Sequence, residues 1–96
     1  MKDKDKILGH VLASPVSSAL LIAVYKGRNN PDDLKSYLKG DEVMLNYHMK
    51  YLLERKLVNI DNSGVYSITK DGKTIAEDTI KAVKAAEEIE LPVNLA

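Results

Sequence analysis

The sequence predicts a mainly α-helical single domain that carries one small β-hairpin, and three observations predict it. Apolar residues recur at helical spacing through four segments set off by capping residues, Pro and Gly. Between residues 57 and 69 the period changes to an alternation of β-branched side chains around Asp61-Asn62-Ser63-Gly64. A long amphipathic stretch follows and closes the chain.

The elements follow in order. Residues 4–12 set Ile7, Leu8, Val11 and Leu12 at helical spacing, an extra amino-terminal helical segment. Ser14 suits an N-cap and Pro15 the first helical position, where its missing N–H costs nothing. The helix that follows runs to about Lys26. Its stretch Ala19-Leu20-Leu21-Ile22-Ala23-Val24-Tyr25 is apolar nearly all round, as expected of a central buried helix. Asn30 caps a shorter helix with Pro31 in its first turn. Asp32 and Asp33 favour its positive end, Leu34, Tyr37 and Leu38 form its inner face, and Gly40 ends it. Asp41 caps a helix over about 42–56. At about 100° per residue, Leu45, Met49, Leu52 and Leu53 gather on one side of it, and Val43, Asn46, Tyr47 and Lys50 on the other. Residues 57–60 and 65–69 pair as a hairpin. Thr69 caps a long last helix, about 70–90, with the stripe Ile75, Ala76, Thr79, Ile80, Ala82, Val83, Ala86 and Ile89. The expected core spans about 14–70, with the segments 4–12 and 70–90 as outer helices.

Composition excludes several classes of function. Without cysteine there are no disulfides, thiolate metal sites or cysteine nucleophiles, in agreement with a cytoplasmic address. No apolar run approaches the ~20 residues of a membrane-spanning helix. There is no glycine-rich phosphate loop and no nucleophile elbow. The neighbouring carboxylates Asp32-Asp33 and Glu87-Glu88 point about 100° apart on a helix and form no acid/base pair. No enzyme, catalytic residue or cofactor is therefore expected. His10 and His48, without cysteine, make no metal site. His48 at the edge of an inner face reads as a packed, hydrogen-bonded histidine ahead of a phosphate contact or a pH-sensitive group.

Four stretches together carry a family likeness. Ser14-Pro15-Val16 leads into Leu20-Leu21-Ile22, and Asn30-Pro31-Asp32-Asp33-Leu34 runs on to Leu38. Tyr47-His48-Met49-Lys50-Tyr51-Leu52-Leu53-Glu54-Arg55-Lys56-Leu57-Val58 comes next, then Val65-Tyr66-Ser67-Ile68-Thr69-Lys70-Asp71-Gly72. In this order and at these separations, over about residues 14–80, the chain resembles the winged helix-turn-helix superfamily. The likeness is to small archaeal and bacterial transcription regulators of the MarR, ArsR and PadR type. The resemblance implies a helix-helix-helix-hairpin-helix unit whose third helix (about 42–56) lies in the DNA major groove, in a homodimer. The chain departs from the pattern twice. Lys56 stands where the family commonly has glycine; lysine costs about 1 kcal/mol in a left-handed conformation, which leaves a different helix end open. Val43 and Met44 stand where small hydroxyl residues are favoured.

On that reading the expected DNA-binding residues are Val43, Asn46, Tyr47 and Lys50 on the third helix, with Lys35, Lys39, Arg55 and Lys56 against flanking phosphates. Asparagine can pair with adenine, lysine can donate to guanine or phosphate, and tyrosine can reach a phosphate or stack. The plainer alternative is an ordinary solvated helix face. The hairpin tip carries one carboxylate and no basic residue, so it cannot grip a minor groove as basic wings do. Excess apolar surface on the outer helices predicts a two-fold dimer through Ile7, Val11, Ile75, Ile80, Val83, Ala86 and Ile89. The competing function is a winged-helix protein-interaction module built on Val43, Met44, Tyr47 and Tyr51. Non-specific DNA packaging fits poorly, because 14 basic residues against 14 acidic leave no net charge. That zero hides a polarity: residues 1–30 carry net +3, residues 31–69 net −1, and residues 70–96 net −2.

Overall fold

The helices begin where local side chains make them begin. The computed structural model describes residues 4–88. It comprises α1 (Lys4–Ala13), α2 (Pro15–Tyr25), α3 (Pro31–Ser36), α4 (Glu42–Glu54), β1 (Val58–Ile60), β2 (Tyr66–Ile68) and α5 (Lys70–Glu88). Ser14 Oγ accepts the Ser17 N–H at 3.3 Å, and Asn30 Oδ1 accepts that of Asp32 at 2.8 Å. Asp41 Oδ1 accepts the Met44 N–H at 3.0 Å, and Thr69 Oγ1 that of Gly72 at 2.9 Å. Each bond satisfies an amide that the helix geometry leaves without a partner. Pro15 and Pro31 occupy the first turns of α2 and α3.

The helix ends differ more from expectation. α3 stops at Ser36, and a turn carries the chain on to Gly40. Lys39 (φ 55°) as well as Gly40 (φ 82°) is left-handed there, so lysine shares the reversal expected of glycine alone. At the end of α4, Lys56 also takes a left-handed backbone, φ 59°. Its N–H bonds the Leu53 carbonyl and the Leu57 N–H bonds that of Leu52, both at 3.0 Å, with Leu52 and Leu57 buried against the core. This is the glycine type of helix end kept without glycine. The different end left open by the lysine is not taken, because the two amide bonds and the buried leucine pair hold the turn.

β1 and β2 pair antiparallel, Val58 with Ile68, Asn59 with Ser67 and Ile60 with Tyr66. The tip closes on Asp61, whose Oδ1 accepts the N–H groups of Ser63 at 2.8 Å and Val65 at 3.0 Å. The Tyr66 N–H bonds the Asn29 carbonyl at 3.0 Å and ties the hairpin to the loop before α3. At the start of α5, Gly72 passes so close to the Leu57 carbonyl that a Cβ there would overlap it.

α2 lies at the centre, packed against α1, α4, α5 and β2. Leu20, Leu21, Ala23 and Val24 bury its faces, and Leu34, Leu45, Met49, Leu52, Leu57 and Val58 close around them. The core extends beyond the expected 14–70. Val11 of α1 and Ile75, Ala76 and Thr79 of α5 are wholly buried in it. Val11 and Ile75, expected at a dimer interface, are therefore corrected to core residues: α1 and α5 fold back on their own domain and leave these side chains nothing to offer a partner. Ion pairing and hydrogen bonding pin the same helices, with Lys4 Nζ 2.9 Å from Asp78 and Tyr25 Oη donating to Glu77 at 3.1 Å. Ile7, Ile80 and Val83 are half-buried. Ile89 and the side chain of Ala86 lie outside the described residues, as does any continuation of α5 past Glu88. Together these elements form a helix-rich, winged-helix-like fold.

Candidate nucleic-acid interface

α4 is anchored on one side and open on the other. Leu45, Met49 and Leu52 bury its inner face. His48 Nδ1 lies 3.0 Å from Ser17 Oγ, a buried hydrogen bond from α4 to the first turn of α2. Burial lowers the His48 pKa below its ordinary 6.5, which keeps the ring neutral at pH 7. The expected packed histidine is the one observed. The Tyr47 ring meets it edge-on, with centroids 5.1 Å apart and planes at 90°.

The outer side carries Val43, Asn46, Tyr47 and Lys50, which fall within an arc of about 100° on the helix. Val43 is 80% exposed and Tyr47 70%, and Asn46 and Lys50 are exposed beside them. Met44, 43% exposed, borders the arc. None of these side chains closes the core. Glu54 shares the face, and its carboxylate stands 4.0 Å from Lys50 Nζ. Sequence reasoning passed over this acid, although its i,i+4 spacing from Lys50 was legible.

The flanking basic residues are not all brought to that face. Lys35 is half-buried and Lys39 exposed on the α3 side, and Lys56 is exposed past the end of α4. Arg55 turns away. Its guanidinium lies 4.9 Å above the Tyr51 ring, and it lines a cleft of about 290 Å³ with Lys6, Ile7 and His10 of α1. Lys6 and His10 went unassigned because no local pattern signals an approach between α1 and the end of α4. The Tyr51 hydroxyl is buried without a hydrogen-bond partner among the described residues. Tyr51 therefore contributes little to an exposed apolar patch. Asp61 is spent on its own turn and Asp41 on its cap, so both acids have local structural work that explains them.

A second surface lies opposite the core side of α2. Leu12, Ala19, Ile22, Ile80 and Val83 line an apolar groove of about 450 Å³ between α2 and α5.

No protein-family model matches the chain, and no curated protein does. Among solved structures, the chain is similar to an O-methyltransferase from neocarzinostatin biosynthesis, solved in complex with S-adenosyl-L-homocysteine. The TM-score is 0.52 at 23% identity, over 67% of this chain. The chain spans only 22% of that protein's length. At this identity the likeness concerns the fold alone.

Proposed function

We propose that this protein is a sequence-specific binder of double-stranded DNA, acting as a dimeric, cytoplasmic transcription regulator with α4 in the major groove. The observation that carries the reading is the outer face of α4. It is a rigid helix surface of hydrogen-bonding, cationic and apolar side chains that the protomer itself does not use. Asn46 and Lys50 are its base-reading candidates, Tyr47 a phosphate or stacking contact, and Lys35, Lys39 and Lys56 its phosphate contacts. Arg55 joins them only by leaving the Tyr51 ring. Three lysine–phosphate contacts per protomer would give a salt slope of about −2.7, a modest grip that a second protomer doubles. The α2–α5 groove supports self-association, with Ile80 and Val83 kept from the expected interface; Ile7 lines the separate cleft beside Arg55. A dimer of this kind would read half-sites about 34–36 Å apart.

Duplex retardation at rising salt tests the reading. Binding at 50 mM salt should weaken steeply by 200 mM. Asn46→Ala and Lys50→Ala should each relax sequence preference by about 1–3 kcal/mol. No retardation of any duplex at 50 mM salt would reject the reading. A sedimentation mass equal to the 10.6 kDa chain at micromolar concentration would reject the dimer.

A second reading is favoured by one observation, the apolar character of Val43, Met44 and Tyr47 on the same face. In that reading the face binds another protein and no specific DNA.

A further inference from the structure

We infer that the outer face of α4 selects A·T base pairs, reading thymine through its C5-methyl group with Val43 and adenine with Asn46; the inference rests on the DNA-binding reading above and names its target. Four observations lead there. First, Val43 is the most exposed of the large apolar side chains in the described core and surface, at 80%, and it stands in the first turn of α4. The first turn is the part of a recognition helix that meets base edges. In the major groove only thymine offers a methyl group to an apolar side chain.

Second, Asn46 lies one turn further on the same arc, about 4.5 Å along the helix axis. Asparagine matches adenine N6 and N7 bidentately, and base pairs repeat about every 3.4 Å, so the two side chains address neighbouring pairs. Both select A·T.

Third, no guanine-selecting arginine stands beside Val43 and Asn46 on the arc. Arginine is the commonest guanine reader. The nearest arginine, Arg55, sits about 120° around the helix from Val43 and is stacked on Tyr51 at 4.9 Å. Lys50 is the remaining guanine-capable donor on the arc; it lies two turns beyond Val43, paired only weakly with the exposed Glu54 carboxylate at 4.0 Å, and reads a base pair outside the A·T step addressed by Val43 and Asn46.

Fourth, exposed cations precede and follow the first turn along the chain, Lys39 before α4 and Lys50 two turns into it. They stand against two acids, Glu42 in that turn and Asp41, whose carboxylate is engaged by the Met44 N–H at 3.0 Å. Cations flanking a small apolar centre suit a duplex, whose phosphates border the methyl-bearing groove floor.

The test uses the full chain. Sites are selected from a random duplex library at 50 mM salt, and the selected site is then resynthesised with deoxyuridine replacing each thymine in turn, which removes the C5-methyl and nothing else. The expected site has adjacent A·T pairs at the centre of each half-site. Deoxyuridine at one of them should weaken binding about fourfold, the worth of one buried methyl group. Val43→Ala should abolish that sensitivity while leaving thermal unfolding unchanged, since the side chain is exposed. Asn46→Ala should remove the preference at the neighbouring pair and keep the deoxyuridine effect. A selected centre of G·C pairs, or affinity indifferent to every deoxyuridine, overturns the inference and leaves DNA binding standing. Retention of no duplex at 50 mM salt overturns both, and the apolar first turn then belongs to a protein partner.

Discussion

Replacing Lys56 with glycine should make this protein more stable, which is unusual for a change in a well-formed helix end. Lys56 holds φ at 59°. A residue with a Cβ costs about 1–2 kcal/mol in that conformation, and glycine carries no such penalty. Glycine also gives the unfolded chain more freedom, which offsets about 0.4–1 kcal/mol of the gain. The Lys56 side chain is exposed, so no packing is lost. Its carbonyl bond from Thr69 Oγ1 at 2.8 Å and its N–H bond to Leu53 at 3.0 Å belong to the backbone and survive. The net expectation for Lys56→Gly is about 0.5–1 kcal/mol of added stability. For a chain of this length that is a rise in Tm of about 3–6 °C. Thermal unfolding followed by circular dichroism measures it, with urea titration as the check that the m-value is unchanged. Lys56→Ala is the control. It removes the charge but keeps the Cβ, so it should give no comparable gain. An unchanged or lower Tm for the glycine variant, or an equal gain for alanine, would refute the argument from backbone strain. In the duplex assay both variants should lose about one phosphate contact, lowering the salt slope by ~0.9.

Gly72→Ala should act in the opposite sense. Alanine normally favours a helix over glycine by about 1 kcal/mol, but here its Cβ would overlap the Leu57 carbonyl. A loss of about 1–3 kcal/mol in urea unfolding is expected, and a gain would show that α5 has room to shift. Glu54→Gln should raise duplex affinity a few-fold at 50 mM salt by releasing Lys50 and removing a carboxylate from the proposed DNA-binding face; exposed pairs of this kind are worth about 0.2–1 kcal/mol. A fall in affinity would mean that Glu54 itself reads the DNA. His48 should make stability depend on pH. Its folded pKa lies below 6.5, so the unfolded chain takes up the proton first. Its contribution is present in full above pH 6.5 and is lost as pH falls through the lower folded value. His48→Gln should flatten this part of the stability profile between pH 7 and 5, and an unchanged slope would place the dependence elsewhere.

Much of the architecture was legible because its causes are local. Ser14, Asn30, Asp41 and Thr69 each cap the helix that follows through an amide no more than three residues away. The alternation around Asp61 fixes the hairpin by the same short-range logic, and the all-round apolar stretch of α2 can only be central. The candidate face of α4 was legible too, since a helical period separates Leu45, Met49 and Leu52 from Val43, Asn46 and Lys50. Arg55 was not, because residues just past a helix take their direction from what they pack on, here the Tyr51 ring.

The amino-acid order by itself determined where helices and strands begin, which side of each is apolar, and that the third helix of the winged-helix unit carries an unused polar and apolar face. Only the tertiary structure decided which apolar stripes are consumed within one protomer. Val11 and Ile75 repeat at the same spacing as Ile7, Ile80 and Val83, yet the first two are wholly buried and the others border open surface. A period of 3.6 residues specifies a face and not its neighbour, and the neighbour is set by how α1 and α5 cross α2. The same holds at Gly72, Lys39 and Lys56. Their conformations are imposed by contacts and turns that close between elements, where packing free energy outweighs the local preference of a single residue.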